Sequence, residues 1–417
     1  MKRQPVGPGG PKPVMIPTSA TRGWIVLASV ATYVGSLVVM RQSGTANVVQ
    51  AGMLCLFATA AANFVLDTAW LKVHRRTSAG LDWSRSQASL GRTGLKLIGL
   101  AGSIGFVAFL YWLFPEYKGH FYDRFYAAVW LVLPWWMALA VPYFYLVDAR
   151  QTNPHDGYYH MGLVVALNWR RVDGRIIGQH LLGWLVKGYF LPLMLTYYFN
   201  DLTKFMAFDF STIKDFKTIF DFGYDSVFLV DVGLAAMGYL MAFRLFDTHL
   251  RWAEPTVMGW VVALMCYQPF TSMISQNYLD YARVDGWGAW LHESPRLYAA
   301  WGSSILVLYG IYLWATVMFG CRFSNLTHRG ILTNGPYRWT KHPAYISKNL
   351  AWWLTSVPFV VMGDPIDSVR RCGLLLLLNA VYYFRARTEE AHLSQDPTYL
   401  QYASWMKQHG LFRWPRR

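Results

Sequence analysis

Two polar clusters near the C-terminus hold the residues with the clearest capacity for chemistry. The first combines a turn, Gly335-Pro336-Tyr337, with the run Lys341-His342-Pro343-Ala344-Tyr345. The second, Arg385-Ala386-Arg387-Thr388-Glu389-Glu390, directly follows an apolar run. Charges of both signs therefore stand beside histidine and tyrosine. This combination suits a ligand that carries both signs of charge and a planar ring.

The backbone of the first cluster is predicted to be irregular, because Gly335-Pro336 favours a turn and helix is disfavoured before Pro343. Irregular backbone at membrane depth is tolerated where it lines a cavity. If the apolar runs on either side of residues 363–371 form a helical hairpin, both clusters return to one face of the membrane. The two clusters then enclose a single pocket.

S-adenosylmethionine has the features that such a pocket would select: a sulfonium, an amino-acid zwitterion, ribose hydroxyls and adenine. Glutamate accepts hydrogen bonds from the hydroxyls or the amino group, and aromatic rings stack on adenine or face the cation. A simpler alternative is that Arg385 and Glu389 form an ordinary i,i+4 helical salt bridge. In that alternative, Tyr399 and Tyr402 belong to an interfacial aromatic belt. These residues alone leave both interpretations open.

The composition predicts an all-α, polytopic transmembrane bundle. Of 417 residues, 54% are hydrophobic and only 15% are charged. Runs of about 20 apolar residues, long enough to cross a bilayer, recur from residue 23 onward. The predicted spans are ten: Gly23 to Met40, Ala46 to Val65, Leu97 to Phe114, Phe125 to Leu146, Leu181 to Phe199, Val227 to Leu245, Val257 to Ile274, Leu297 to Phe319, Tyr345 to Met362 and Cys372 to Phe384.

Loop charges orient this bundle and account for the net charge of +15. Lys and Arg outnumber Asp and Glu in residues 1–22, 66–96, 320–344 and 385–417, which places these segments and both termini in the cytoplasm. Both polar clusters would then face the cytoplasm. Orientation and contact with anionic membrane lipids explain the basic balance, so nucleic acid is not an expected partner.

The chain is predicted to have three parts. Residues 1–22 form a disordered basic arm, residues 23–320 form an N-terminal transmembrane bundle of about eight helices without an assigned role, and residues 321–417 form a C-terminal hairpin with the cofactor-binding motifs. Composition favours a bacterial inner membrane over the endoplasmic reticulum.

Two ionisable residues fall inside predicted spans. Lys187 lies in the fifth span and Asp231 in the sixth, and an ionisable group in hydrocarbon is a functional-site candidate by default. The alternatives are snorkelling for Lys187 and exposure at the outer surface for Asp231. A metal site is not expected at His155 and His160, because a spacing of five places them on different helix faces and a turn is predicted there. The four cysteines lie far apart, without zinc or disulfide spacing.

The C-terminal motifs resemble those of the isoprenylcysteine carboxyl methyltransferases, which are integral-membrane enzymes that use S-adenosylmethionine. The similarity runs from about residue 322 to 414 and rests on four blocks: Gly335-Pro336-Tyr337, Lys341-His342-Pro343-x-Tyr345, Phe384-Arg385-x-Arg387-Thr388-Glu389-Glu390 and Tyr399-x-x-Tyr402. The family usually has Arg at the position of Lys341. Lysine keeps the positive charge but lacks the planar guanidinium that can donate two parallel hydrogen bonds. The first six or seven spans have no counterpart in familiar members.

The resemblance implies a cofactor site and a set of catalytic residues. Eight residues would bind S-adenosylmethionine: Gly335, Pro336, Tyr337, His342, Pro343, Tyr345, Glu389 and Glu390. The catalytic residues would be Arg385, Arg387 and Glu390. The acceptor would be a lipophilic small molecule or a lipidated group, preferably a carboxylate of the isoprenylcysteine kind. A carboxylate is already ionised at pH 7, whereas an amine acceptor would need Glu390 or His342 as a base.

Two other functions fit parts of the sequence. NADPH-dependent membrane sterol C=C reductases have about ten spans and a related Arg-His-x-x-Tyr block, but Gly335-Pro336-Tyr337 replaces their Gly-Trp-Trp. A transporter or scaffold would centre on Lys187 and Asp231 and would leave the C-terminal blocks unexplained. Methyl transfer is therefore the predicted function, with the reductase as its alternative.

Overall fold

A computed structural model describes residues 15–45, 47–84, 86–277, 286–361 and 364–412. About three quarters of the described chain is helical, as predicted for an all-α membrane bundle. The helices are α1 Gly23–Gln42, α2 Val48–Leu66, α3 Leu90–Leu113, α4 Asp123–Arg150, α5 Gly157–Val165, α6 Gly174–Ala207, α7 Phe216–Leu240, α8 Val257–Leu264, α9 Phe270–Asn277, α10 Trp287–Trp290, α11 Pro295–Val317, α12 Pro343–Ser356, α13 Pro365–Leu393 and α14 Pro397–His409. One short antiparallel pair joins β1 Trp252–Ala253 to β2 Thr327–His328.

Five helical segments are long and apolar enough to cross a membrane. They are Gly23–Gln42, Val48–Leu71, Leu90–Leu113, His120–Arg150 and Pro295–Val317. Each coincides with a predicted span. The spans predicted in the fifth and tenth positions lie within the longer helices α6 and α13. The predicted sixth span begins in α7 but runs five residues past its end at Leu240, and the total of ten stays a prediction.

Two predicted spans have a different structure. The segment predicted as one span from Val257 to Ile274 is interrupted between α8 and α9, because helix is disfavoured immediately before Pro269 and that residue lacks a backbone N–H. The ninth span is α12, which has 14 residues and is about 21 Å long, whereas crossing the hydrocarbon core needs about 30 Å. It ends where Val357 adopts a left-handed conformation with φ of 39°. Met362 lies outside the described residues.

Close helix packing builds the N-terminal bundle. The largest core combines α1, α2, α6 and α7, where the fully buried rings of Tyr33 and Tyr198 lie side by side. Helices α3 and α5 approach through glycine, since a Cβ at Gly99 would lie 1.9 Å from the carbonyl oxygen of Tyr158. Small residues at such crossings are typical of membrane helix pairs.

The end of the N-terminal arm is held in place. Residues 15–22, predicted as part of a disordered arm, run beside the loop that precedes α12. The Ala20 amide donates to the Ile331 carbonyl at 2.9 Å, and the Thr333 hydroxyl donates to the Pro17 carbonyl at 2.8 Å. The prediction of disorder is therefore wrong for these residues, because the polar loop offers partners that composition does not reveal. Residues 1–14 lie outside the described part.

Two buried arginines fix this loop to the N-terminal bundle. Arg329 donates to the carbonyls of Gly238 and Met241 at the end of α7, at 2.7 and 3.3 Å. The last carbonyls of a helix have no partner within the helix, so a cation at this end satisfies them and complements the helix dipole. Arg322 pairs with Asp247 at 3.2 Å, in the loop that follows α7. Together they position the backbone from which the first polar cluster projects.

Candidate functional site

A cavity of about 180 Å³ lies where the loop before α12, the start of α12 and the end of α13 meet. Helix α12 begins at Pro343 and α13 runs past Glu390, so the two polar clusters face each other across the cavity. Residues of both clusters line this cavity.

His342 is held by an acidic residue of α13. Its Nε2 lies 2.9 Å from Oε1 of Glu390, and Lys341 contacts the same oxygen. Burial opposes ionisation of Glu390, but these two partners outweigh it and lower the pKa of the carboxyl to about 2. Glu390 therefore stays ionised and fixes the ring of His342, while His342 itself lines the cavity.

Tyr345 and Glu389 form a second link between α12 and α13. The Tyr345 hydroxyl donates to Glu389 Oε2 at 2.9 Å. Tyr345 follows His342, the residue that caps α12, by three positions, so the two side chains lie on one side of the first turn of α12. Their rings are parallel within 5°, with centroids 5.5 Å apart. This side of the cavity offers aromatic faces next to a carboxylate that lines it.

The turn at Gly335 supports the cavity from outside. Gly335 has φ of +55°, and a Cβ there would lie 2.7 Å from the sulfur of Met318, so only glycine fits without strain. The turn presents the carbonyl of Tyr337, which accepts a 2.6 Å hydrogen bond from Tyr402 of α14. Tyr337 lines the cavity, whereas Gly335 and Pro336 do not. Tyr402 is 2% exposed, so an interfacial belt does not describe it.

Arg385 lines the deeper part of the cavity and is 8% exposed. It donates to Asn325 Oδ1 at 2.7 Å and lies between the rings of Tyr267, Tyr345 and Tyr382, 5.1 to 5.8 Å from their centroids. In the described part of the chain no carboxylate pairs with it, and the alternative salt bridge to Glu389 is not formed. Its positive charge is thus stabilised by π faces and one amide oxygen.

Arg387 is placed differently from the prediction. Its side chain is 63% exposed and lies 3.6 Å from Glu390 Oε2, on the outside of α13. Residues two apart on a helix do not share a face, so Arg385 and Arg387 cannot both line the cavity. Glu390 also lies behind His342 rather than at the cavity surface.

Residues 304–395 match the sequence model of the isoprenylcysteine carboxyl methyltransferase (ICMT) family. The resemblance predicted for the C-terminal part is confirmed, and the match together with the apolar helices supports an integral-membrane methyltransferase. No curated protein and no solved structure matches the chain. The matched segment contains His342, Tyr345, Arg385 and Glu389. It excludes Tyr267 and α14, which also contribute to the site.

Several lining residues outside the ICMT-like motifs escaped prediction. Lys348 lies one turn beyond Tyr345 on α12, with Nζ 5.1 Å from the ring centroid of Tyr312. Helical spacing from Tyr345 could have indicated it. Asn325 donates to the Tyr267 hydroxyl at 3.0 Å, a pairing across the fold that no local pattern reveals.

A buried acid and histidine close another side of the cavity. Glu254, which follows β1, lies with its Oε2 3.3 Å from Nδ1 of His392, and both residues are less than 7% exposed. The two residues are far apart in the sequence: Glu254 lies in the loop after β1, and His392 lies on α13. Neither was predicted, because each is an isolated polar residue in its own segment.

Asp231 and His160, two other candidates from the sequence, have structural partners. Asp231 is 7% exposed and accepts a 2.6 Å hydrogen bond from Tyr312, so exposure at the outer surface is wrong. His160 accepts a hydrogen bond from the Asp173 amide at 3.0 Å. Within the described ranges, no three His, Cys, Asp or Glu side chains are grouped as metal ligands.

Proposed function

We propose that this protein transfers the methyl group of S-adenosylmethionine to the carboxylate of a lipophilic acceptor. The observation that carries the proposal is Arg385, a buried guanidinium that lines the cavity without a carboxylate partner among the described residues. Lys348 adds a second cation to the cavity wall, over the rings of Tyr312 and Trp352, with the charge of Asp231 acting on it. Arg385, together with Lys348, favours an anionic group on the ligand.

The donor set fits the cofactor chemically. Glu389 can accept from its hydroxyl or ammonium groups, and His342 and Tyr345 offer parallel rings. The cavity of about 180 Å³ is smaller than the roughly 300–1,000 Å³ of typical ligand sites, so side chains at its rim must move on binding. Lys341, which lines the cavity and is 29% exposed, is one such side chain. When bound, S-adenosylmethionine would supply an electrophilic methyl group.

The residues of the chain then act by positioning and desolvation. Arg385 holds the acceptor carboxylate in its ionised form, so no general base is required. Asn325 orients the guanidinium, and the rings of Tyr267 and Tyr382 keep water from it. Glu390 holds His342 in place from behind and does not touch the acceptor.

A lipophilic acceptor is supported by apolar surface beside the cavity. Leu350 of α12 and Tyr383 and Phe384 of α13 are 49% to 61% exposed, as expected for side chains that face lipid. An acceptor with an apolar tail could reach the site from the bilayer between these helices. The basic loop 320–344 favours a cytoplasmic site, and composition favours a bacterial inner membrane.

The test is a comparison of two cofactors on the detergent-purified protein. Isothermal titration with S-adenosylhomocysteine should give saturable binding that Glu389→Gln and His342→Ala weaken at least tenfold. The exposed variant Arg370→Met on the same helix serves as the matched control and should bind like the wild type. If the protein binds NADPH and does not bind S-adenosylhomocysteine, the methyl-transfer proposal is refuted and a reductase is favoured.

A further inference from the structure

A second and larger cavity lies in the N-terminal bundle, outside the region that resembles ICMT. Its volume is about 1020 Å³, and it extends between α3, α4, α6 and the loop after α7. Pockets of this size hold whole small molecules or lipids. Two stacked rings lie between the two cavities. Trp252 of β1 lines the second cavity, and its ring centroid lies 4.1 Å from that of His328, in the loop that borders the first cavity.

Lys187 is the unusual residue of this second cavity. It lies near the middle of α6, roughly 20 Å along the helix from Gly174, in a predicted membrane span. Its Nζ lies 5.5 Å from the ring centroid of Trp184, and the charged group that acts on it is another cation, Arg329. No carboxylate of the described residues forms an ion pair with it. An ammonium at this depth is costly unless an anion or water accompanies it.

The acidic residues of the second cavity are already engaged. Asp156 accepts from the Gln151 side chain at 3.0 Å and lies 3.5 Å from Lys96. Asp173 caps α6 by accepting from the backbone amides of Arg175 and Ile176 at 2.8 and 3.1 Å. Neither pairs with Lys187, so an anion that pairs with it would come from a bound ligand.

Most of the remaining wall is apolar or aromatic. It includes Trp136, Leu139, Phe144, Trp184 and Leu250. Leu139 and Trp136 lie on α4, where Leu139 is 67% exposed, so the cavity adjoins surface that faces lipid. A wall of this kind binds a hydrocarbon body, and a cation on it without a carboxylate partner, as Lys187 is among the described residues, selects a head group with negative charge.

We propose that the second cavity is a binding site for an amphiphile with a single anionic head group, held by Lys187, and with its apolar part between α4 and α6. A carboxylate and a phosphate monoester share this chemistry, so a fatty acid and a singly phosphorylated lipid are the two sources. The proposal concerns a site that the methyl-transfer chemistry does not use. It stands or falls independently of the proposed function.

The experiment measures saturable binding of tritiated palmitate to the delipidated, detergent-purified full chain by scintillation proximity. Hexadecyl phosphate should compete with palmitate, whereas 1-hexadecanol, with the same chain but no charge, should compete at least tenfold more weakly. Lys187→Met should weaken palmitate binding about 10- to 100-fold, and Lys187→Arg should stay within about threefold of the wild type. Which anion competes better identifies the source of the head group.

The matched control is Lys204→Met, which removes an exposed lysine from the same helix and should leave palmitate binding unchanged. If Lys187→Met elutes as an aggregate in size exclusion, Ala242→Phe replaces it, since the larger side chain occupies part of the cavity without altering the charge. That variant should weaken palmitate binding at least tenfold. Equal competition by hexadecanol, or wild-type affinity in Lys187→Met or Ala242→Phe, would overturn the proposal. S-adenosylhomocysteine titrations in parallel report separately on the first cavity.

Discussion

Replacing Arg385 by methionine tests the proposed acceptor chemistry most directly. Methionine retains an unbranched apolar stem of similar reach but removes the guanidinium that Asn325 orients at 2.7 Å. A charged hydrogen bond contributes about 1.5–3 kcal/mol. At about 1.4 kcal/mol per tenfold, its loss should lower kcat/KM for a carboxylate acceptor by about 10- to 150-fold.

The assay is transfer of tritiated methyl from S-adenosylmethionine to N-acetyl-S-farnesylcysteine, with its uncharged carboxamide, which does not accept the methyl group, as a competitive inhibitor. The wild type should bind the acid much more tightly than the carboxamide, whereas Arg385→Met should bind the two with similar affinity, because the cation that distinguishes them is gone. Affinity for S-adenosylhomocysteine should change less than threefold, since Glu389 and His342 are intact. Arg385→Lys should retain part of the preference, because the charge remains but the fork that meets Asn325 is lost.

Two results would refute this reasoning. If Arg385→Met methylates the acid as well as the wild type does, the guanidinium is not the carboxylate partner. If it loses S-adenosylhomocysteine binding while its acceptor preference persists, Arg385 belongs to the cofactor site. Arg370→Met, on the exposed face of α13, should behave like the wild type in every arm.

Three further outcomes follow from the site. The lowered pKa of Glu390 contributes stability that is complete above the pKa of the unfolded chain, near 4.5, and is lost as pH falls toward about 2. The thermal midpoint should therefore fall more steeply between pH 5 and 3 in the wild type than in Glu390→Gln. Gly335→Ala, forced into a left-handed conformation against Met318, should destabilise by about 1–2 kcal/mol, read as a lower thermal midpoint. Tyr402→Phe removes the hydrogen bond to Tyr337, worth about 0.5–1.5 kcal/mol, and should weaken S-adenosylhomocysteine binding severalfold in titration; unchanged binding would show that α14 does not shape the site.

The sequence predicted the parts of this molecule that depend on local pattern. Apolar runs identified five helices long enough to cross a membrane, and the blocks around His342 and Glu389 predicted a shared cavity. The break between α8 and α9 was missed, because hydropathy averages over a Pro that ends a helix. Arg387 was predicted as a site residue because it is close to Arg385 in sequence, but residues two positions apart on a helix do not share a face.

Contacts between distant segments could not be predicted. Tyr267 and Asn325 meet Arg385 only after the chain has folded, and nothing in their neighbours in sequence marks them. The burial of Asp231 against Tyr312 likewise depends on how α7 packs against α11. Such partners are set by tertiary packing, which one sequence does not specify.

Arg329 makes the ICMT-like segment dependent on the helices that precede it. Its guanidinium is 3% exposed and satisfies carbonyls at the end of α7, while its own loop carries the residues that line the first cavity. In a chimaera joined near residue 320, α7 would come from another protein. The N–H groups of Arg329 would then meet a different helix end and could lose their carbonyl acceptors. The ICMT-like segment therefore does not fold independently of the preceding helices, and any exchange of it between homologues must include the C-terminal turn of α7.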